Sequence, residues 1–405
     1  MTEYVHADRV PADILAMGDT LARIRHDIHQ HPEIGSGTIR TCSVIARELV
    51  DRGIHFTADR VHGAVIAVVE GSRPGVTIAL RADMDALAVA DCSRTDWKSA
   101  APGLAHACGH DGHIAWLIGT LDVLQQRRDF PGRVVGIFQP AEEIGGGARR
   151  VVDAGVLEEY GPVEIYAAHG TPSLPKGLIG VRAGSAQASC DFFYITLKGR
   201  SAHAARPQHA LDPITTAALL ASSFQTILSR RLDPFDPAVL SICAIRAGDI
   251  DTPNVIPDHL AISGTIRAFD PEVRSFIERE MRRMTEHIAA AQGLEASVRI
   301  DHITPPLVNA PGPAAAAKAM ARELFGPDGW AESAMTMAGE DFAEFVNRVP
   351  GTMIQVGLRD EDHEEVLHNP AFDFNDAVLP ATVWYLSELT RSRLEALTQA
   401  AQPAG

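Results

Sequence analysis

The tract HACGHDGH, residues 106–113, places Cys108 among His106, His110 and His113. Thiolate and imidazole are ligands that zinc and similar ions take. Cys108 and His110 stand two apart in what reads as a loop before a helix, so both can face one ion. The bland reading of this tract is a buried apolar cysteine with packed or capping histidines. A second tract, FQPAEEIGGGA (138–148), carries Glu142 and Glu143 between a strand-like run and a glycine-rich turn. Adjacent acids commonly open a helix, where its dipole favours them. In a tight loop they instead point different ways, and one can hold a metal while the other serves as a base. His169 ends the run EIYAAH, and His368 lies in the irregular VLHNPAF. Either alone reads as a hydrogen-bonded loop histidine. Together with Cys108, His110 and Glu143 they make five ligands, a number that suits two divalent ions with positions left open.

Such groups need a frame that brings them together. Apolar residues at helical spacing mark Pro11 to His31 and Thr38 to Arg52 as helices. The runs 63–70, 75–80, 133–138 and 164–168 read as strands, with helices at 112–126 and 148–154 between them. Near-continuous apolar strands alternating with helices predict an α/β fold with a mostly parallel sheet covered on both faces. Asp83 and Asp85, Glu142 and Glu143, and His169 then follow three separate strands. The outer carboxyl edge of a parallel sheet is where ligands bind.

From about residue 187 the texture changes. Strands at 191–198, 239–245, 260–267 and 297–300 and helices at 213–230 and 271–292 run in the order of a ferredoxin-like α+β sandwich. The first texture then resumes, with helix 313–325, strand 352–357 and a closing helix from Asp376 to about Leu397. The expectation is a discontinuous catalytic domain, 1–186 with 301–405, and an inserted domain, 187–300.

Composition narrows the function. Of 405 residues, 46% are hydrophobic and 22% charged, the profile of a globular chain able to bury a large core. The net charge of −16 repels phosphate backbones and argues against a nucleic-acid partner. No run of 18 apolar residues suggests a membrane span. No basic leader is visible at the N-terminus, and five scattered cysteines suggest no disulfide framework, so the cytoplasm is expected.

Ten segments also give the chain a family resemblance. They are RIRHDIHQHPEIG (23–35), LRADMDAL (80–87), HACGHDGH (106–113), FQPAEEIGGGA (138–148), AAHGTPSLPKGLIGVRAG (167–184), GRSAHAARP (199–207), NVIPD (254–258), GTIR (264–267), GEDF (339–342) and LHNPAF (367–372). The chain resembles the metal-dependent amidohydrolases of the aminoacylase and glutamate-carboxypeptidase superfamily. It is closest to the branch of hippurate hydrolase, N-acyl-amino-acid amidohydrolases and auxin-conjugate hydrolases. The resemblance implies that Cys108, His110, Glu143, His169 and His368 hold two divalent ions, manganese or zinc. It makes Glu142 the general base, and Asp83 and Asp85 groups that orient the ligands from behind. In the insert it implies that His203 stabilises the oxyanion and that Asn254 and Arg267 bind the substrate carboxylate, whereas Arg267 by itself reads more readily as a solvated strand residue. It also implies that the insert is a lid and dimerisation domain, giving a homodimer or higher homo-oligomer. Ala88, Asp91, Ser185, Gln187, Ser201, Gln208, Ala210, Asn375 and Asp376 depart from the family pattern without touching a ligand or the base.

The implied reaction is hydrolysis of an N-acyl or aryl-acyl amino acid, a small substrate with a carboxylate. The alternatives are a dipeptidase or carboxypeptidase, cleavage of another C–N bond such as that of an aromatic amine, and a non-catalytic metal-binding protein.

Overall fold

Valine- and isoleucine-rich runs, spaced by helices, build two units, and residues 9–58 and 63–402 are described in this computed structural model. The first eight residues, on which the reading of the N-terminus partly rests, lie outside the described ones. The first unit lies within 1–184, 308–334 and 344–405; the second comprises 185–307 and 335–343.

The first unit holds an eight-stranded mixed sheet, so the α/β class read from the sequence is what forms. Its order is His55–Ala58, Val65–Glu70, Pro131–Gln139, Arg73–Asp83, Pro162–Pro175, Gly351–Arg359, Ile179–Val181, Trp330–Glu332. The central pairings, from Pro131–Gln139 across to Gly351–Arg359, are parallel. Two strands expected in or missed by the parallel reading run the other way. Val65–Glu70 pairs antiparallel with Pro131–Gln139, because only Gly71 and Ser72 separate it from the next strand and so short a link must reverse the chain. Ile179–Val181 likewise follows Pro162–Pro175 after three residues and runs antiparallel to Gly351–Arg359. Gly71 itself is required: a Cβ there would stand 2.2 Å from the carbonyl oxygen of Phe130.

Helix His110–Gln126 is apolar nearly all round because it is buried nearly all round. It packs on strand Arg73–Asp83 and on helices Gly18–His29 and Leu379–Ala401. Ile114, Trp116, Leu117, Ile118, Leu121 and Leu124 enter the main core. Burying each such side chain contributes roughly 1.5–3 kcal/mol. This fixes the helix axially, and with it the residues at its N-terminus.

The second unit is a four-stranded antiparallel sheet, in the order Ala238–Ala247, His259–Ala268, Cys190–Lys198, Glu295–Thr304. Helices Pro213–Thr226 and Pro271–Ala291 pack on the sheet. Asp212 and Asp270 cap them, accepting the backbone N–H of Ile214 and Glu272, with proline at each first helical position. Alternation along Cys190–Lys198 buries Phe193, Ile195 and Leu197 and exposes Phe192 and Tyr194. The first of these helices stops earlier than expected, at Thr226, and its last turn, Ile227–Arg231, is π-helical.

Candidate metal centre

Strand register gathers the first groups. Arg81 is opposite Ala167, and Asp83 is opposite Gln139. His169 therefore lies level with Asp83, inside rather than past its strand, which continues to Pro175. Glu142 and Glu143 follow Gln139 in an irregular turn, as expected. Cys108 precedes helix His110–Gln126, which opens at His110 itself because Gly109 takes a left-handed φ of 85°. His368 sits in an irregular segment. Among the described residues, the non-glycines with positive φ are Ala141, at 60°, and His368, at 67°. Such strain persists where surroundings impose it, typically at functional sites.

The five candidate ligands form one cluster. The ligand atoms of Cys108, Glu143 and His368 lie within 4.8 Å of one another, as do those of His110, Glu142 and Glu143. The Cys108 Sγ is 3.6 Å from His169 Nε2. Glu143 Oε1 is 3.8 Å from His110 Nε2 and 3.5 Å from His368 Nε2.

Hydrogen bonds from behind aim these atoms inward. His110 Nδ1 donates to the carbonyl of Asp85 at 2.7 Å, and His169 Nδ1 donates to that of Gly170 at 2.7 Å. In a neutral ring each then presents an Nε2 lone pair to the centre. The Asp85 carboxylate accepts the backbone N–H of both Glu142, at 2.9 Å, and Glu143, at 3.1 Å. It thereby pins the turn that carries the two acids. Asp83 accepts from Arg81 at 2.6 Å and from His113 Nδ1 at 2.5 Å. His113 Nε2 in turn accepts the N–H of Gly170 at 3.0 Å. Both ring nitrogens of His113 are thus engaged, so the alternative grouping of Asp83, His110, His113 and His169 is a support rather than a second ion site.

The electrostatics call for cations. Asp83, Asp85, Glu142 and Glu143 crowd one buried or half-buried region, against the Arg81 guanidinium. Burial, with the neighbouring carboxylates Glu143 and Asp83, pushes Asp85 up to about 6. Burial and then the charges of Glu143 and Glu142 push the Cys108 thiol well up. Burial opposes a charge on His110, yet Asp83, Glu143 and Asp85 hold its pKa above the usual imidazole value. His169 is pushed down to about 3, chiefly by burial, and so stays neutral. His110 Nε2 and Glu143 Oε1 are buried without a hydrogen-bond partner. A buried polar atom left unpaired is costly, and a divalent ion satisfies both. The donor set of one thiol, three imidazoles and a carboxylate fits a pair of divalent ions.

The remaining candidates belong to the second unit. His203 and Asn254 lie side by side, since His203 pairs with Val255 and the N–H of Ala204 donates to the Asn254 carbonyl at 2.9 Å. His203 Nδ1 accepts the N–H of Ala205 at 3.1 Å, leaving the proton of a neutral ring on Nε2. Arg267 stands on strand His259–Ala268, half-buried, beside Gly339. The supporting roles of Arg81 and His113 were not read from the sequence. An arginine interrupting the apolar run of strand Arg73–Asp83 was the available signal, because a buried guanidinium needs an acid partner.

Known proteins resemble this chain over most of its length. The model of peptidase family M20/M25/M40 matches residues 79–392. The N-acetylcysteine deacetylase of Bacillus subtilis (strain 168) is 38% identical over 379 residues, 93% of this chain and 97% of that one. The IAA-amino acid hydrolase ILR1-like 4 of Arabidopsis thaliana is 35% identical over 393 residues, 93% of this chain and 86% of that one. The crystal structure of the Bacillus subtilis YXEP protein, described as a dinuclear metal-binding peptidase of the M20 family, superposes with a TM-score of 0.83. It is 36% identical, covering 94% of this chain and 99% of that one.

Proposed function

The chain belongs to peptidase family M20/M25/M40, and from that premise we propose that it hydrolyses the amide bond of N-acyl amino acids, releasing a carboxylic acid and the amino acid. The observation that supports this most is the cluster of Cys108, His110, Glu143, His169 and His368 beside Glu142.

In this reading the five side chains hold two divalent ions, manganese or zinc, the thiolate favouring zinc on softness. When bound, the ions supply Lewis acidity, lowering the pKa of the attacking water and polarising the scissile carbonyl. Glu142 takes the proton from the water as its oxygen adds to the carbonyl carbon. It returns that proton to the amine nitrogen as the C–N bond breaks. General acid–base help of this kind is worth about 10²–10⁴-fold. Asp85 fixes the Glu142 backbone, and Asp83 with His113 fixes the strand edge that bears His169. His203 donates its Nε2–H to the developing oxyanion, a contribution of roughly 2.7–4 kcal/mol for one donor. Arg267, with its planar fork, and Asn254 hold the amino-acid carboxylate.

The same proposal makes the second unit a lid and dimerisation unit. It places the protein in the cytoplasm, where cysteine thiols stay reduced. The test is a panel of hippurate, N-acetyl amino acids and dipeptides, each with chelator and metal add-back. Hydrolysis of an N-acyl amino acid that is lost on chelation and regained with metal is expected; no turnover of any of them by metal-loaded protein contradicts the reading. Glu142→Gln is expected to lower kcat by at least 10²-fold with both metals retained. Near-normal turnover in that variant removes Glu142 as the base.

A further inference from the structure

Arg25 lies away from the ligands in sequence, yet its side chain is wholly buried. Its guanidinium has carboxylates on opposite edges. Nη1 donates to Asp111 Oδ2 at 3.0 Å, one residue after His110. Nε and Nη2 form a fork onto Asp376, and Nη2 also lies 3.5 Å from Asp373 Oδ1. The Trp97 ring sits 5.2 Å from the guanidinium carbon and donates its own N–H to Asp373 at 3.4 Å. Asp373 and Asp376 belong to the segment that carries His368. That segment is already tied to the cysteine tract at its other end, where the N–H of His368 donates to the carbonyl of Ala107 at 2.7 Å.

We infer that Arg25 is a positioning residue for the metal centre, fastening the tract 106–111 to the tract 368–376 at a second point. Cys108 and His110 lie between the two fastenings, and His368 is itself at the first. One link alone leaves a hinge; two links fix the separation of His368 from Cys108 and His110. Metal ligands work within a few tenths of an ångström, so that separation decides affinity. The choice of arginine follows from geometry. A guanidinium reaches carboxylates on two edges at once, whereas an ammonium is a point charge that cannot span them. The inference rests on the dinuclear reading above.

The test uses full-length protein stripped of metal and refilled with zinc, with stoichiometry by elemental analysis and affinity by calorimetry. Arg25→Lys keeps the charge and loses the span; Asp376→Asn keeps Arg25 paired with Asp111 and loosens the far end. Leu394→Ala is the control, a buried core residue of the closing helix that destabilises without touching the clamp. Both clamp variants are expected to lose 10- to 100-fold in the affinity of at least one zinc site, the range typical of groups that orient ligands. Leu394→Ala is expected to keep both affinities at a comparable fall in Tm. If Arg25→Lys does not fold, Asp376→Asn alone carries the comparison. Clamp variants that match Leu394→Ala, with lowered Tm and zinc affinities intact, overturn the inference. A wild-type chain that takes up fewer than two zinc ions overturns the dinuclear reading instead.

Discussion

Cys108 is buried among carboxylates that hold its thiol protonated, so it can ligate only by giving up that proton. Metal binding near pH 7 should therefore release a proton that Cys108→Ala does not. Calorimetric titration with zinc, in buffers of different ionisation enthalpy, should show about one proton fewer released by the variant. Equal release from the two proteins would remove Cys108 from the ligand set. The neighbouring hydrogen bonds orient the site. His110 and His169 each spend Nδ1 on a carbonyl, and Asp85 spends its carboxylate on two backbone N–H groups. Ala141, with its positive φ, leads into the turn that Asp85 pins, and His368, with the other, is tied by its N–H to the Ala107 carbonyl.

Helix Gly18–His29 joins this centre from outside through its last turn. His29 Nδ1 lies 2.9 Å from Asp111 Oδ2, and its Nε2 lies 3.3 Å from Asp91. Burial works against a charge there, but Asp111 and Asp91 raise its pKa from 6.5 to about 9. A raised imidazole pKa stabilises the fold fully below the unfolded value of 6.5 and loses that contribution as the pH climbs through 9. A rise of this size corresponds to on the order of 3 kcal/mol. Thermal melts from pH 6 to 10 should show a fall in Tm over that window that is much reduced in His29→Gln; superimposable profiles would count against the ion pair. The helices and most strands were legible in the sequence because hydrophobic period reports which face is buried. Asp85, Glu142 and Glu143, beyond their strands, were legible because a parallel sheet has one functional edge, whereas His169 was expected past a strand that in fact runs on to Pro175. Strand direction was less so, as it turned on two- and three-residue links after Glu70 and Pro175. The Arg25 clamp was not legible at all: its partners lie 86 and 351 residues away, and no local pattern encodes such pairings.

The chain as a whole is built around two units, each with its own core, and the candidate ligands all fall in the first. A fold that crowds buried carboxylates together should gain stability when cations bind them. Free metal at about 100 times its Kd adds roughly 2.7 kcal/mol for one site. Differential scanning should accordingly show Tm rising on refilling and falling in chelator; a Tm insensitive to both would mean that the cluster binds nothing. Among the described residues no helix is long and apolar enough to cross a membrane. The most direct test of the account is an anomalous-scattering map from crystals grown with zinc or manganese. The expected map has two peaks, within coordination distance of Cys108, His110, Glu143, His169 and His368 and with the Glu142 carboxylate alongside. A map with no peak there, or with peaks held by other residues, would contradict it.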